Sequence, residues 1–493
     1  MARKRAEPSI LLGPILYFRG EQRDRWWLSA LFVLDGDVEP DDLKVDGVTL
    51  PVPPRHLVTR RHGRSRRHVW RFDFAVPRGL HDTDVTYGFP DGPRWTIVVP
   101  GRHSFPRMAV LYGSGTSTAP SPDPSSTLWP ALLARHAIER LHLLVQTGGQ
   151  ADGDAALADS PRLARALADA VGGASPQTPA LAGELMNAAF DHLLRVWRGS
   201  AVAQALASIP SVMIWDGTEL GRGLADAWDC REEAPADRRL RPLVDAIRQQ
   251  AHLFQTGSVP ESPPDALWGA DCGSQTQGIR LGEAGLLLLD LWSDRSGGRM
   301  LSNRSWELLP DWLDRFAGCR HLILVSTAPL LPGAAPLIRL HGLLPSRLRG
   351  HLGSRVRSGW TATDRTGERE RMLRSLADFS RRTGCRITIL SSTPDCESGR
   401  TVLRGGGLEM WQLYVPRFGQ SPTRPSRWAG LIGRRVGRPG TALSGYRLET
   451  PAFDDGQRLL RGPGWLACTL DGKGQLHANW CRPDDTAHHS QAI

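Results

Sequence analysis

The chain has 493 residues, of which 40% are hydrophobic and 23% charged, and these proportions exclude a wholly disordered or fibrous protein. The net charge of +10 and the isoelectric point near 9.7 favour weak attraction to nucleic acid, phosphate or anionic membranes without indicating a fold. Seven scattered cysteines without a Cys-x-x-Cys pair predict reduced thiols rather than a disulfide framework. The basic start has no apolar signal segment and no run approaches a membrane span, so we expect a cytoplasmic protein.

The first hundred residues alternate short β-rich runs with turn residues. Trp26–Leu34 and Val69–Val76 are typical strands, and Asp-Gly pairs separate such runs. This spacing predicts a small antiparallel β-sandwich domain over residues 1–104. Within it, the stretch from Arg55 to Arg71 collects arginines and three histidines. It is either a polyanion-binding patch with a pH-sensitive component or a solvated hairpin loop.

From Arg107 onward, strands alternate with helices. The buried strands have near-continuous apolar runs: Met108–Tyr112, Leu141–Gln146, Ser211–Trp215, Gly285–Trp292, His321–Pro329 and Cys385–Leu390. This alternation predicts an α/β core over residues 105–482, in which two sheets flanked by helices form a four-layer sandwich. Residues 151–180 are expected to be a mobile connection, and residues 483–493 a disordered tail.

The strand that ends at Trp215 runs into an acidic residue and a turn former, which is how α/β proteins present side chains at the carboxyl edge of a sheet. This segment resembles the Trp-Asp-Asp-His-Asp motif of PhoD-type alkaline phosphatases, which belong to the metallophosphatase superfamily. Relative to that motif, Trp215 and Asp216 are kept, and Glu219 keeps an acid. Gly217 replaces a metal-binding carboxylate, and Thr218 replaces the histidine.

The resemblance covers the order and spacing of elements from Arg107 to about Trp480. It implies a PhoD-like metallophosphatase fold and a site in which two metals activate an oxygen nucleophile for attack on phosphorus. A later strand that ends Leu-Asp-x-Arg-Ser-Glu-Arg in the family is also altered. Here it reads Leu289 to Arg295, with Trp292 in place of a basic residue.

The remaining family motifs have lost metal ligands as well. Gly149 stands where the resemblance implies a metal-bridging aspartate, and Asp152 follows it. The motif Leu-Ser-Gly-Asp-Val-His corresponds to a stretch in which Thr393 and Asp395 replace the aspartate and the histidine. A histidine expected after a later strand falls at Gln420. The losses therefore coincide with the site that the resemblance implies, whereas the apolar strands persist.

These substitutions predict a catalytically degenerate member of the family, a pseudoenzyme that needs no cofactor and acts by binding an anionic ligand or a protein partner. The alternative is an active phosphomonoesterase or phosphodiesterase whose acids Asp152, Asp216, Glu219 and Asp395 form a rebuilt metal site. Oxygen ligands alone would suit Mg²⁺ or Ca²⁺ more than zinc or iron, although Mn or Fe also serves this family. If these four acids bind no metal, each of them is expected to be solvated or to cap a helix.

A third interpretation is a binder of nucleic acid or polyphosphate. It rests on the arginines of Arg55–Arg71 and of Arg417–Arg438. The second of these stretches is also rich in proline and glycine, which is equally typical of a flexible surface loop.

Overall fold

A computed structural model describes residues 9–36, 39–63, 65–115, 125–173, 179–229, 235–295, 299–331, 359–360, 365–392, 397–419, 443–483 and 489–493. The strands in this part of the chain are β1 Ser9–Gln22, β2 Arg25–Asp35, β3 Lys44–Val45, β4 Val48–Thr49, β5 Arg55–His62, β6 Ser65–Pro77, β7 Thr83–Gly88, β8 Arg94–Val99, β9 Arg107–Leu111, β10 Leu143–Gln146, β11 Ser211–Met213, β12 Gln277–Leu281, β13 Ala284–Leu289, β14 His321–Ser326, β15 Arg386–Ser392, β16 Glu397–Gly405, β17 Leu408–Val415, β18 Arg447–Glu449, β19 Leu459–Arg461, β20 Trp465–Leu470, β21 Leu476–Cys481 and β22 His489–Ala492. The helices are α1 Ser125–Glu139, α2 Gly153–Ala158, α3 Pro161–Gly172, α4 Pro179–Trp197, α5 Ser200–Ser208, α6 Gly217–Leu220, α7 Arg222–Asp229, α8 Pro235–Gln255, α9 Asn303–Asp314 and α10 Thr366–Thr383.

The first sheet has ten strands in the order β22-β21-β20-β9-β10-β11-β1-β2-β6-β5. Its centre is parallel, since β10 pairs in parallel with both β9 and β11, and β11 pairs in parallel with β1. The strands outside this centre are antiparallel. All four residues of β10 are buried, because helices cover one face of the sheet and the second sheet covers the other.

The second sheet follows the order β12-β13-β14-β15-β17-β16-β18, and β19 pairs with β16. Strands β13, β14, β15 and β17 are parallel and form its centre. The two sheets share one hydrophobic core, to which β10 contributes Val145 and β14 contributes Leu324. Helix α10 packs on β15 and β17, whereas α4 and α5 contact the first sheet. The predicted α/β core with two sheets is therefore confirmed.

The N-terminal strands form two layers that face each other, and one of these layers is part of the first sheet. Strands β3, β4, β7 and β8 form a separate four-stranded sheet. The ring of Trp95 on β8 lies 5.8 Å from the ring of Phe32 on β2, so the two layers pack as in a sandwich. However, β1 pairs in parallel with β11 through Tyr17 and Ser211, and the sheet runs through without a break. The domain boundary at residue 104 stays a prediction.

The stretch 151–180, expected to be a mobile connection, contains helices α2 and α3. Helix α3 begins with a Ser160 N-cap and a proline in its first turn, and Gly173 ends it in the left-handed conformation. Leu163 and Leu167 are buried. The small residues of this stretch concealed an apolar stripe with helical spacing, and burial of that stripe orders the segment.

The end of the chain is also ordered where the structure describes it. Strand β22 pairs with β21 at the edge of the first sheet. The His489 ring packs 4.8 Å from the Phe453 ring, and the main chains of Ile493 and Leu476 exchange two hydrogen bonds. The predicted disordered tail is therefore wrong for residues 489–493, because the edge of β21 offers main-chain partners that no composition reveals.

None of the helices in the described part of the chain is long and apolar enough to cross a membrane. No disulfide links the described cysteines, namely Cys272, Cys319, Cys385, Cys468 and Cys481.

Candidate functional site

Three turns at the carboxyl ends of β9, β10 and β11 form the floor of the candidate site. The N–H of Gly113 donates to the carbonyl of Gly148 over 2.9 Å, and the N–H of Gly115 donates to the carbonyl of Gly149 over 2.9 Å. These bonds fasten the first turn to the second. Parallel strands end at the same edge, so turns from different parts of the chain meet there.

The second turn has no room for a side chain at Gly149. This glycine has φ of +71°, and a Cβ added to it would lie 2.8 Å from the Cα of Gly113. Gly148 has φ of +109°, and a Cβ there would lie 2.8 Å from the carboxyl group of Asp216. An aspartate at position 149 would therefore be strained and would displace the neighbouring backbone.

Asp216 and Glu219 form a reciprocal capping box at the start of α6. The carboxylate of Asp216 accepts from the N–H of Thr218 over 2.7 Å, and Glu219 accepts from the N–H of Asp216 over 2.9 Å. The same Glu219 side chain also accepts from the main chain of Gln150 and from the amide of Gln255. These two acids thus join the second turn, the third turn and helix α8.

The pKa of Glu219 is raised well above its ordinary value. Burial is the largest cause, and the neighbouring Asp216 carboxyl group adds to it by charge repulsion and by a side-chain hydrogen bond, while main-chain donors act in the opposite direction. Both acids are buried, with 6% of Asp216 and 5% of Glu219 exposed. Glu219 therefore tends to hold a proton, which weakens its attraction for a cation.

Asp152 is also used as a helix cap. Its carboxylate accepts from the N–H groups of Asp154 and Ala155 at the start of α2. The structure brings α2 against α6. Nevertheless, no group of three or more His, Cys, Asp or Glu side chains suited to hold a metal occurs among the described residues. Asp395, the fourth acid of the predicted cluster, lies outside the described residues, as do Thr393 and Gln420.

Trp292 occupies the space beside Gly217. A Cβ added at Gly217 would lie 2.4 Å from the Cη2 atom of this indole. The guanidinium of Arg295 lies 3.9 Å from the centre of the same ring, and the indole of Trp228 donates to the carbonyl of Trp292. The tryptophan is thus held from two sides. It fills the position into which the carboxylate implied at residue 217 would project.

Asp290, which follows β13, is fully buried and serves as an acceptor for four donors. Its carboxylate receives the indole N–H of Trp215 at 3.0 Å and the main-chain N–H of Gln275 at 2.7 Å. The main-chain N–H groups of Trp292 and Ser293 complete the set. This acid holds the end of β13 against the end of β11, and its oxygen atoms are saturated.

Arg417 also lies at this edge of the sheets, and the sequence did not predict it as a site residue. It was predicted to begin an exposed loop, yet only 7% of it is exposed. Its main chain bridges to Tyr112, and its Cγ and Nε atoms would each lie 3.1 Å from a Cβ added at Gly113. The guanidinium carbon lies 5.7 Å from the centre of the Tyr112 ring, and the buried Nε has no hydrogen-bond partner. Its position directly after a buried parallel strand was the signal for a site residue.

Two solved structures share this architecture. The chain superposes on purple acid phosphatase PPD1 from yellow lupin (Lupinus luteus) seeds with a TM-score of 0.57 and 10% identity, over 99% of this chain and 74% of that chain. It superposes on PhoD with a TM-score of 0.56 and 11% identity, over 100% of this chain and 90% of that chain. No family model and no curated protein matches the sequence. The likeness shows the fold, and the predicted PhoD-like metallophosphatase fold is confirmed.

The described residues do not fit the two metals that the resemblance implies. Positions 149 and 217 are glycines, and the surroundings of both are closed to a side chain. Asp152, Asp216 and Glu219 each accept main-chain hydrogen bonds, so recruiting them to a metal would remove helix caps. Thr218 is half-buried and offers a hydroxyl where the motif implies an imidazole.

Proposed function

We propose that this metallophosphatase-fold protein is catalytically degenerate and acts by binding a small oxyanion, a phosphate or carboxylate group, in the cleft at the carboxyl edge of its sheets. The observation that carries the proposal is the contrast between the two kinds of charge in the cleft. The acids accept hydrogen bonds from their own backbone, whereas the Nε of buried Arg417 has no partner. We place this activity in the cytoplasm, in keeping with cysteines that form no described disulfide.

The chemistry of Arg417 favours an oxyanion. A guanidinium presents its N–H groups in a planar fork that matches two oxygen atoms of one ligand. The Nε–H of Arg417 is buried without a partner, which is unfavourable, so binding of an anion there recovers a hydrogen bond that the folded chain leaves unmade.

A rebuilt hydrolase is the less favoured function. It would require Asp152, Asp216 and Glu219 to leave their caps, and it would still lack a donor at positions 149 and 217. Neutral Thr218 is also a poor general acid for a leaving alkoxide.

The test is thermal unfolding in the presence of phosphate or acetate at constant ionic strength. We expect saturable stabilisation of the wild type, which Arg417→Gln weakens because the binding group of this site is gone. Arg417→Lys should keep part of the effect, since it retains the charge without the fork. The matched control is Arg447→Gln, which changes an exposed arginine paired with Glu449 and should behave like the wild type.

Two results would overturn the proposal. Equal stabilisation of the wild type and Arg417→Gln would remove Arg417 from the site. Turnover of a phosphate ester that scales with bound metal would restore the hydrolase. We also expect Arg417→Gln without ligand to be as stable as the wild type or more so, because it removes a buried charge.

A further inference from the structure

We propose a second binding site, for a phosphate group, in the cavity between the β5–β6 hairpin and helix α4. It lies on other elements than the cleft described above and does not depend on Arg417. The stretch Arg55–Arg71, for which the sequence left open a polyanion-binding patch or a solvated hairpin loop, forms a paired hairpin of β5 and the start of β6. This hairpin has features that an exposed loop would not have.

Arginines face each other across the hairpin. The register places Arg60 opposite Arg67 and Arg61 opposite Arg66. Like charges directly opposite each other on an antiparallel pair are destabilising, so such pairs are not selected for sheet stability alone. An anion bound between Arg60 and Arg67 would convert the repulsion of that pair into attraction.

Protection of the sheet edge explains only part of this pattern. Strand β5 is the last strand of the first sheet, and charged residues on an edge strand discourage pairing with another chain. That role requires side chains in solvent. Arg60 is half-buried, its Nε is buried without a hydrogen-bond partner, and burial lowers its pKa. An edge-protecting charge would not be desolvated in this way.

The hairpin and α4 enclose a cavity of about 120 Å³. Three arginines line it, Arg60, Arg61 and Arg67, together with Asn187 and Asp191 of α4. Asp191 is the acid of this lining, and it pairs with Arg67. The cationic side chains of the lining therefore outnumber the acidic one by three to one.

This combination matches the chemistry of a phosphate group. Guanidinium groups donate to phosphate oxygens in pairs, and the amide of Asn187 adds a neutral donor. A phosphate carries enough negative charge to satisfy two guanidinium groups at once, which a single carboxylate does not. The net charge of +10 raises the rate of encounter with any phosphate-bearing ligand.

The phosphate can come from a small molecule or from one position of a nucleic-acid backbone, and the experiment has an arm for each. Binding of a fluorescent single-stranded oligonucleotide is measured by anisotropy at several salt concentrations. Binding of inorganic phosphate is measured by calorimetry with Arg417→Gln present in every protein, so that only the cavity can bind it. The variant is Arg60→Gln with Arg61→Gln. Its control is Arg304→Gln with Arg374→Gln, which removes two exposed, ion-paired arginines from helices α9 and α10.

We expect the Arg60→Gln/Arg61→Gln variant to bind at least one of the two probes about tenfold more weakly than the wild type. For the oligonucleotide, the slope of log affinity against log salt should fall by about one, because one phosphate contact is lost. The control should lose less than about twofold in the same assays. Arg417→Gln should bind the oligonucleotide normally, which separates this site from the cleft.

Loss in the inorganic-phosphate arm alone would assign the cavity to a small phosphate, and loss in the oligonucleotide arm would assign it to a backbone phosphate. Either outcome supports the site. Equal losses in the variant and the control would overturn it, because the effect would then follow net charge rather than the cavity. Absence of binding in both arms would overturn it as well. Circular dichroism of the variant checks that the hairpin substitutions leave the fold intact.

Discussion

The acids of the cleft and the arginines of the β5–β6 hairpin differ in how completely the chain satisfies their hydrogen bonds. In the cleft, Asp290 and Glu219 are surrounded by N–H donors of the chain itself. In the hairpin, Arg60 and Arg67 lie opposite each other, and the buried Nε of Arg60 has no hydrogen-bond partner. A buried polar side chain that has all its hydrogen-bond partners stabilises the fold. A side chain that lacks a partner is available to a ligand.

This difference corrects a natural assumption about acids at the edge of an α/β sheet. Carboxylates in that position attract attention as metal ligands. Asp216, Glu219 and Asp290 instead connect strand ends and helix starts by accepting main-chain hydrogen bonds. The structural role of these acids is sufficient reason for their presence. Substitutions of these acids and of their neighbours measure how far that role extends.

The largest effect is expected for Asp290→Ala. The substitution leaves four donors buried without an acceptor, and we expect the free energy of unfolding to fall by about 4 kcal/mol. Denaturant titration measures this loss. Asp311→Asn on the exposed face of α9 is the control and should change the value by less than about 0.5 kcal/mol. A loss for Asp290→Ala no larger than that of the control would contradict a structural role.

Glu219→Ala should come next. It removes the acceptor for Gln150, Asp216 and Gln255, and we expect a loss of about 3 kcal/mol. A ligand role in a rebuilt metal site would instead make this variant nearly as stable as the wild type in the absence of metal. Urea titration without added metal distinguishes the two outcomes.

The pH dependence of Glu219 gives an independent check. Its pKa is raised above the ordinary value of 4.5 by burial and by Asp216. The folded state therefore keeps a proton that the unfolded state releases, so the contribution to stability is present below pH 4.5 and is lost as the pH rises through the folded pKa. Glu219→Gln should flatten this decline, whereas Glu307→Gln at an exposed position should leave it unchanged.

A smaller effect is expected where Trp292 meets Gly217. Gly217→Ala forces a methyl group against the indole, and we expect a loss of about 2 kcal/mol. The same substitution in a Trp292→Ala background should cost nothing. The control is Gly223→Ala, at a helical position with open space, which should stabilise by up to about 1 kcal/mol. A loss that persists without the indole would exclude the contact as its cause.

The smallest effect is expected for Asp152→Ala. It removes one N-cap, and we expect a loss of about 1 kcal/mol, which Asp152→Asn should largely restore because an amide oxygen also caps. Chemical denaturation of the three proteins provides the measurement. If asparagine were as damaging as alanine, the negative charge rather than the hydrogen bond would be required.

The sequence predicted the two-sheet core because its parallel strands are apolar on both faces and so leave a continuous signal, as in Leu143–Gln146 and Ala284–Leu289. It did not predict helix α3, whose buried positions are separated by small and charged residues. It also gave no sign of β22, which depends on main-chain pairing with β21.

The sequence predicted where the residues of the candidate site lie but not what they do. The positions of Asp216, Gly217 and Glu219 follow from the strand that precedes them. Their roles depend on local geometry, because a capping box and a filled space beside Gly217 are contacts between distant segments. Arg417 was not predicted as a site residue because the composition after it is typical of a loop. The strand before it nevertheless ends at the same edge.

The most direct test of the central claim is the metal content of the chain, purified without chelator or metal-binding tag and equilibrated with Mn²⁺, Ca²⁺ and Fe³⁺. Plasma mass spectrometry gives the stoichiometry, and hydrolysis of a chromogenic phosphodiester is followed in parallel. The account predicts metal far below one ion per chain and no turnover. Two ions per chain, with turnover that Asp216→Asn abolishes in a folded protein, would contradict it and would make the cleft a rebuilt active site.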